Sequence, residues 1–274
     1  MRHLTPQQTR AVLHHHGLDQ AGGLAFAFRD TSRHTVYDWH AHPHHQLLYA
    51  MAGSTQIETA QARFLLPAGR AAWIPAGLSH RTLISDVDGA SLFFAPALVH
   101  GGDGMRVLAA TPLMREMILH ALRWTRGDSE RDPVAASFLR TLALLCAEWL
   151  ESELPLSLPS ASHPGLRRAL DAAAADPGTA ALETVLATAG LSERSFRRLF
   201  RQQTGLCWRD WLTQARMLKA MGLLANGARV TDAAAEVGYD SLSAFAKAFT
   251  RMTGEAPAAY RAQQRKQPAA PPGT

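Results

Sequence analysis

Apolar residues recur at two spacings in this chain, one typical of strands and one typical of helices. Between residues 24 and 96 they fall in short runs that Gly, Pro or Asp residues interrupt. Short runs bounded by turn residues predict antiparallel strands that pack as a sandwich or barrel. The predicted strands are 24–28, 46–51, 54–60, 62–66, 71–74, 81–84 and 91–94.

Beyond residue 100 apolar residues recur every three or four positions, which predicts amphipathic helices. Helices are predicted over 111–125 and from Pro133 to about 151, each with a proline suited to its first turn. We expect these two helices to form a hairpin within residues 101–151, which either covers the barrel or pairs with a second subunit. Residues 152–164 are rich in proline and serine and predict an interdomain linker.

Residues 182–261 contain one pattern twice. Two phenylalanines and a closing glycine recur at an offset of 49: Phe196, Phe200 and Gly205 return as Phe245, Phe249 and Gly254. A repeat of this length is a supersecondary unit. In each copy a helix leads to a glycine turn, and a second helix buries its phenylalanines. This order predicts a helix-turn-helix unit, whose second helix presents side chains to a partner.

Charge and histidine are divided unevenly along the chain. Residues 1–163 hold 13 Lys and Arg against 14 Asp and Glu, whereas residues 164–274 hold 15 against 9. The basic excess therefore belongs to the part with the repeat, as neutralisation of DNA phosphates requires. All 13 histidines lie at or before His163, so the N-terminal part has a different chemistry.

The repeat resembles the DNA-binding domain of the AraC/XylS family of transcription regulators. The strongest part of the resemblance is Val237-Gly238-Tyr239-Asp240-Ser241-x3-Phe245-x3-Phe249-x4-Gly254-x2-Pro257-x2-Tyr260-Arg261. It implies a domain over residues 165–261 with two reading helices that enter successive segments of the DNA major groove. The positions it assigns to DNA contact are Arg194, Arg197, Arg198, Arg201, Leu242, Ser243 and Lys247.

The two reading helices differ in the chemistry they offer to DNA. An arginine can bridge O6 and N7 of guanine, and its neighbours can neutralise phosphates. Leu242 stands where members of the family often have a polar residue. The second helix therefore reads thymine methyls or mainly phosphates. We expect the first helix to carry more sequence information.

Two strings in the strand-rich part resemble the paired motifs of the cupin superfamily, whose fold is an RmlC-like barrel. They are Trp39-His40-Ala41-His42-x3-Gln46-x6-Gly53 and Gly69-x5-Pro75-x-Gly77-x2-His80. The resemblance implies a barrel over residues 24–100. It also places four residues at the positions of the cupin metal ligands, three imidazoles and one carboxylate: His40, His42, Gln46 and His80.

Three uses of this histidine cluster stay open. Gln46 replaces the carboxylate, and its amide oxygen is a neutral and weaker ligand. Three imidazoles with water can still hold zinc, nickel, cobalt or iron. Alternatively, the histidines line a cavity for an organic effector, or respond to pH by protonation. His44 and His45 adjoin the motif and either extend the site or lie at its rim.

These patterns predict an α+β protein. The expected order is an N-terminal segment (1–23), an antiparallel cupin-like sensor barrel (24–100), the helical hairpin as a candidate dimerisation region (101–151), the linker (152–164), an all-α domain with two helix-turn-helix units (165–261) and a disordered tail (262–274). The chain has only two cysteines, Cys146 and Cys207, one in each half. With no signal peptide and no apolar stretch of membrane-spanning length, we expect a cytoplasmic protein without disulfides.

The predicted function is sequence-specific transcription regulation, controlled by a metal or small molecule in the barrel, and not enzymatic. Ligand binding would shift the population that is competent to bind operator DNA. The expected partners are double-stranded operator DNA, the effector, a second copy of the chain and, for an activator, RNA polymerase.

Two other functions remain as alternatives. A cupin-type metal-dependent enzyme with an appended DNA-binding domain would need an acid or base beside the histidines, and Glu58 is the only glutamate near the first motif. A DNA-bending protein without an effector would leave the histidine motifs unexplained.

Overall fold

The computed structural model describes residues 2–31, 34–100, 102–151, 153–154 and 156–266. They form two compact units, one comprising residues up to 59 with 65–155, the other comprising residues 60–64 with 156–266. The architecture is α+β, as predicted. The strands are β1 (Arg2–His3), β2 (Ala25–Asp30), β3 (Thr35–His40), β4 (His45–Glu58), β5 (Ala62–Pro67), β6 (Arg70–Ile74), β7 (His80–Phe94), β8 (Arg106–Ala109), β9 (Glu153–Leu154) and β10 (Ser157–Pro159).

The sheet of the N-terminal unit is organised around two long strands. Its order is β1-β3-β7-β4-β6-β8-β9, and β2 also pairs with β7. The pairing is antiparallel except between β1 and β3. The sequence predicted two short strands where β4 lies and two where β7 lies. The structure has one strand in each place, because β-bulges between residues 50 and 54 shift the register without ending the pairing.

The helices of the N-terminal unit pack on this sheet. They are α1 (Pro6–His15), α2 (Pro112–Ala121), α3 (Asp128–Arg131) and α4 (Pro133–Trp149). The predicted hairpin corresponds to α2 and α4, with the short helix α3 between them. Ile118 of α2 and Leu142 of α4 are fully buried in one cluster with Trp73 of the sheet. One face of the hairpin is therefore part of the core, while other apolar side chains of α2 and α4 remain exposed.

Residues 17–22, which we call the N-terminal loop, are held by the turn after α2. The guanidinium of Arg126 donates to the carbonyl oxygens of Gly17 at 2.9 Å, Gln20 at 3.0 Å and Gly22 at 2.9 Å. It also lies over the ring of Phe26, 5.0 Å from its centroid. One side chain thus fixes the backbone that follows α1.

The C-terminal unit is helical. Its helices are α5 (Pro164–Ala175), α6 (Leu182–Ala189), α7 (Glu193–Thr204), α8 (Trp208–Ala225), α9 (Val230–Glu236), α10 (Leu242–Thr253) and α11 (Pro257–Lys266). Large side chains from four of these helices are fully buried: Phe196, Phe200, Trp211, Phe245, Phe249 and Tyr260. None of the helices among the described residues is long and apolar enough to span a membrane.

Two predicted boundaries differ from the structure. The predicted linker holds β9 and β10, and β10 pairs with residues 62–64; its residues 152 and 155 lie outside the described residues. This pairing joins segments almost 100 residues apart, so no local pattern announces it. The tail was predicted to begin at 262, but α11 continues to Lys266 through residues of good helix propensity. Residues 267–274 lie outside the described residues.

Candidate functional site

A cavity in the N-terminal unit brings together the four predicted ligand residues. His40, His42, Gln46 and His80 all line it, and its volume is about 120 Å³. His80 begins β7 and pairs directly with His40 at the end of β3, so their ring centroids lie only 4.2 Å apart. His42 lies in the turn after β3 instead of on a strand, as the two-residue spacing had suggested. Its ring centroid is nevertheless 5.2 Å from that of His80.

Backbone carbonyls fix the orientation of the three imidazoles. The Nδ1 atoms of His40, His42 and His80 lie 2.7, 2.6 and 2.9 Å from the carbonyl oxygens of residues 38, 44 and 78 respectively. Because a carbonyl oxygen can only accept, each Nδ1 carries the hydrogen. In the neutral ring Nε2 is then an acceptor. The local chain therefore sets one tautomer for all three rings.

Burial favours the neutral form of these histidines. It is the main cause that lowers the pKa of His40, of His42 to about 4, and of His80 well below its ordinary value. A positive charge on His40 or His42 would lower the pKa of His80 further. All three imidazoles are therefore neutral at pH 7.

Gln46 links His42 to the opposite strand. One atom of its amide lies 3.0 Å from His42 Nε2, and the other lies 3.0 Å from Ser91 Oγ. Because Nε2 of a neutral His42 carries no hydrogen, the amide nitrogen must face it as donor and the amide oxygen must accept from Ser91. In this orientation the Gln46 oxygen is already used within the protein.

The residues do not form a metal centre of the cupin type. Among the residues the structure describes, no three His, Cys, Asp or Glu side chains are positioned to hold a metal ion together. The nitrogen of His42 that would face a metal receives the Gln46 amide. The four positions thus surround one cavity but do not present four ligands to one point.

The rest of the cavity wall comes partly from residues that the sequence did not indicate. Val12, Leu13 and Leu18 of α1 and the N-terminal loop line one side, because Leu13 and Leu18 are buried against Phe26 and Phe93 of the sheet. No motif marks these residues. Thr55 also lines the cavity; it is 1% exposed and its hydroxyl has no hydrogen-bond partner. Its alternation with Ile57 on β4 was the only available signal.

His44 and His45 are structural residues and not rim residues. His44 is buried, with Nε2 3.0 Å from the carbonyl oxygen of Gly22, and its ring meets Phe26 edge to face. His45 accepts a hydrogen bond from the Ala76 N–H and stacks on Trp73. Neither lines the cavity.

The first helix pair of the C-terminal unit has the predicted form. Gly190 adopts φ +65° after α6, and the Ser192 hydroxyl accepts from the Ser195 N–H at the start of α7. Four arginines are exposed on α7: Arg194, Arg197, Arg198 and Arg201. Arg197 is held by Glu193, with Arg197 nitrogens 2.6 and 2.8 Å from Glu193 Oε1. The other three have no ion pair among the described residues.

The second helix pair repeats the backbone of the first with a different surface. Gly238 adopts φ +76°, and the Ser241 hydroxyl accepts from the Ala244 N–H at the start of α10. The predicted contact residues Leu242, Ser243 and Lys247 are all exposed. The Ser243 hydroxyl lies 2.9 Å from that of Ser241, so it is shared with the cap.

Family models match both units. The model for an AraC-like ligand binding domain matches residues 22–204, and that for a helix-turn-helix domain matches residues 185–263. The chain is 30% identical over 232 residues to the HTH-type transcriptional regulator NimR of Escherichia coli K12, covering 82% of each protein. It is 39% identical over 82 residues to the HTH-type transcriptional activator RhaR of Yersinia pseudotuberculosis, which is 30% of this chain and 28% of that protein. A crystal structure of the DNA-binding domain of AdpA with target DNA aligns at 34% identity and a TM-score of 0.36, covering 40% of this chain and 98% of that one.

Proposed function

Since the chain belongs to the AraC family of DNA-binding transcription regulators and carries the ligand-binding domain of that family, we propose that it is a regulator whose effector is a small organic molecule. The effector binds in the cavity around His40, His42 and His80. The observation that carries the proposal is that the cavity and the two exposed reading helices occur in one chain.

The proposed DNA contacts fall on α7 and α10. Arg194, Arg198 and Arg201 are exposed without a competing carboxylate among the described residues, which supports their assignment to guanines and phosphates. Arg197 must exchange Glu193 for DNA or hold Glu193 beside it. On α10, Lys247 suits a phosphate and Leu242, 48% exposed, suits a thymine methyl.

An organic effector fits the cavity better than a metal ion. The imidazoles converge on a partly apolar space, while Gln46 is engaged with His42 and Ser91. Binding must favour the DNA-competent arrangement of the chain by about 1–3 kcal/mol to give a useful switch. Metal analysis of untagged protein tests this choice, because stoichiometric metal that is lost in His40→Ala, His80→Ala protein would favour a metal effector.

A second copy of the chain and, for an activator, RNA polymerase complete the proposed set of partners. Three apolar side chains on α2 and α4 support a protein contact: Leu113, Val134 and Leu144 are 58%, 63% and 66% exposed. Sedimentation of Leu144→Glu protein would test this surface, and a dimer that persists unchanged would exclude Leu144 from the contact.

The enzyme alternative finds little support in the cavity. Glu58, the nearest glutamate in sequence, is paired with Arg81 at 3.3 Å. Asp30 lines the cavity but has an interaction of its own. The relatives are named as transcription regulators. An acid or base aimed at a substrate is therefore not among the features of this site.

The experiment that tests the function is DNA binding in a salt series. A duplex selected by the purified protein from a random library serves as the probe. The logarithm of the binding constant should fall linearly with the logarithm of salt concentration, with a slope of about −0.9 for each neutralised phosphate. Arg194→Gln should weaken binding, while Arg168→Gln, the same charge change at an exposed position on α5, should not. Equal effects of the two changes would remove the assignment of α7.

A further inference from the structure

We propose that the effector is a small neutral phenol, a single aromatic ring whose hydroxyl groups donate hydrogen bonds to His40 and His80. This inference rests on the proposed function, because it names the ligand class of the same cavity. Three features of the cavity carry it: its hydrogen-bonding groups, its apolar wall and its charges.

The polar side of the cavity consists mainly of acceptors. The Nδ1 hydrogens of His40 and His80 are donated to backbone carbonyls, which leaves their Nε2 atoms as acceptors. The described residues supply no hydrogen bond to either Nε2. The hydroxyl of Thr55 is also buried without a partner and can either donate or accept. A ligand that satisfies these groups must bring hydrogen-bond donors, because a buried polar group left unpaired is costly.

The opposite side of the cavity is apolar and partly aromatic. Phe93 stacks on Phe26 and Phe28, with centroids 5.1 and 5.7 Å apart, and Leu48 and Val87 extend this wall. The volume of about 120 Å³ is close to the roughly 150 Å³ in which an apolar cavity holds benzene. The space therefore suits one ring, with its donors on the histidine side and its face on the phenylalanine side.

The charges around the cavity favour a neutral ligand. Arg29 is held by both oxygens of Asp88, at 2.8 and 2.6 Å, and Asp30 has an interaction of its own. The imidazoles are neutral. An anionic or cationic ligand would therefore lose its hydration without gaining an opposite charge. This argument separates phenols from benzoates of the same size.

A series of four one-ring compounds tests each feature separately. Catechol, phenol, toluene and benzoate are titrated into the full-length protein and binding is measured by calorimetry. We expect affinity to fall in the order catechol, phenol, toluene, with each donated hydrogen bond contributing about two- to tenfold, and we expect benzoate to bind weakest. Tighter binding of benzoate than of catechol would overturn the proposal.

Two variants locate the hydrogen bonds. His80→Phe removes the acceptor but keeps a ring, so catechol affinity should fall to the level of toluene while toluene affinity is unchanged. His120→Phe, the same change on the exposed face of α2, is the control. Thr55→Val removes the unpartnered hydroxyl, so it should weaken catechol without lowering the melting temperature. Catechol affinity that is unchanged in both cavity variants would exclude this geometry.

The result can be separated from a failure of the proposed function. If the protein binds its selected duplex with the expected salt dependence but binds none of the four rings, the phenol assignment is wrong and the regulator assignment stands. If catechol binds as expected but no selective DNA binding is found, the proposed function fails instead.

Discussion

The two helix pairs of the C-terminal unit share a backbone and differ in their exposed faces. Both pairs place a glycine with positive φ at the turn, a serine cap on the second helix and two fully buried phenylalanines. Yet α7 exposes four arginines where α10 exposes Leu242, Ser243 and Lys247. The buried residues of a repeat are constrained by packing, whereas its outward residues are free to take up different readings of DNA.

The largest expected effect should be the same in both pairs. Phe196→Ala and Phe245→Ala each remove a side chain that is fully buried, so each should lower the free energy of unfolding by roughly 3–5 kcal/mol. Urea unfolding followed by circular dichroism measures both, with Leu242→Ala as an exposed control. A difference of several kcal/mol between the two would mean that the pairs are not equivalent scaffolds.

The glycines at the turns should break this equivalence. A Cβ at Gly190 would meet nothing within 4 Å, but a Cβ at Gly238 would lie 2.6 Å from the carbonyl oxygen of Gly178. Gly190→Ala should therefore cost about 1 kcal/mol, for the positive φ alone. Gly238→Ala should cost about 3 kcal/mol because the backbone must also move. Similar unfolding midpoints for the two variants would show that the contact with Gly178 is relaxed at no cost.

DNA recognition should differ between the two helices. Arg198→Gln should cost about 1–3 kcal/mol of binding free energy and relax the preference at one base pair, as loss of a bidentate guanine contact does. Lys247→Gln should weaken all sequences alike and reduce the salt slope by about 1. Binding measured against a panel of single-base variants of the selected duplex separates the two cases. The reverse pattern would assign the base reading to α10.

The smallest effect concerns the ion pair that only α7 has. Glu193→Gln removes the exposed partner of Arg197 and should cost about 0.3–0.5 kcal/mol of stability. The freed arginine and the lost negative charge should strengthen DNA binding by less than about threefold at low salt, an effect that salt removes. Weaker binding of this variant would indicate that Glu193 itself contacts a base.

The helical unit was the more predictable part of the chain. Its caps, turns and buried stripes are local patterns, and Gly190, Ser192 and Ser241 lie in the structure as predicted. The sheet was harder, because β3 was not predicted and β4 and β7 were each split where the pairing continues. The histidine motifs located the cavity, but the α1 side and the contact of Arg126 with Gly17 join residues more than 100 positions apart. Such contacts follow from the assembled fold and leave no local pattern.

The grip of Arg126 on the N-terminal loop has a consequence for building hybrid regulators. A chimera that exchanges sensors to obtain a new response would ordinarily be cut at the first strand of the barrel. Here the side chain that fixes residues 17–22 lies beyond the last strand of the cavity wall, and α1 supplies part of that wall. A graft that transfers the response must therefore carry α1, the sheet and the turn after α2 as a single cassette.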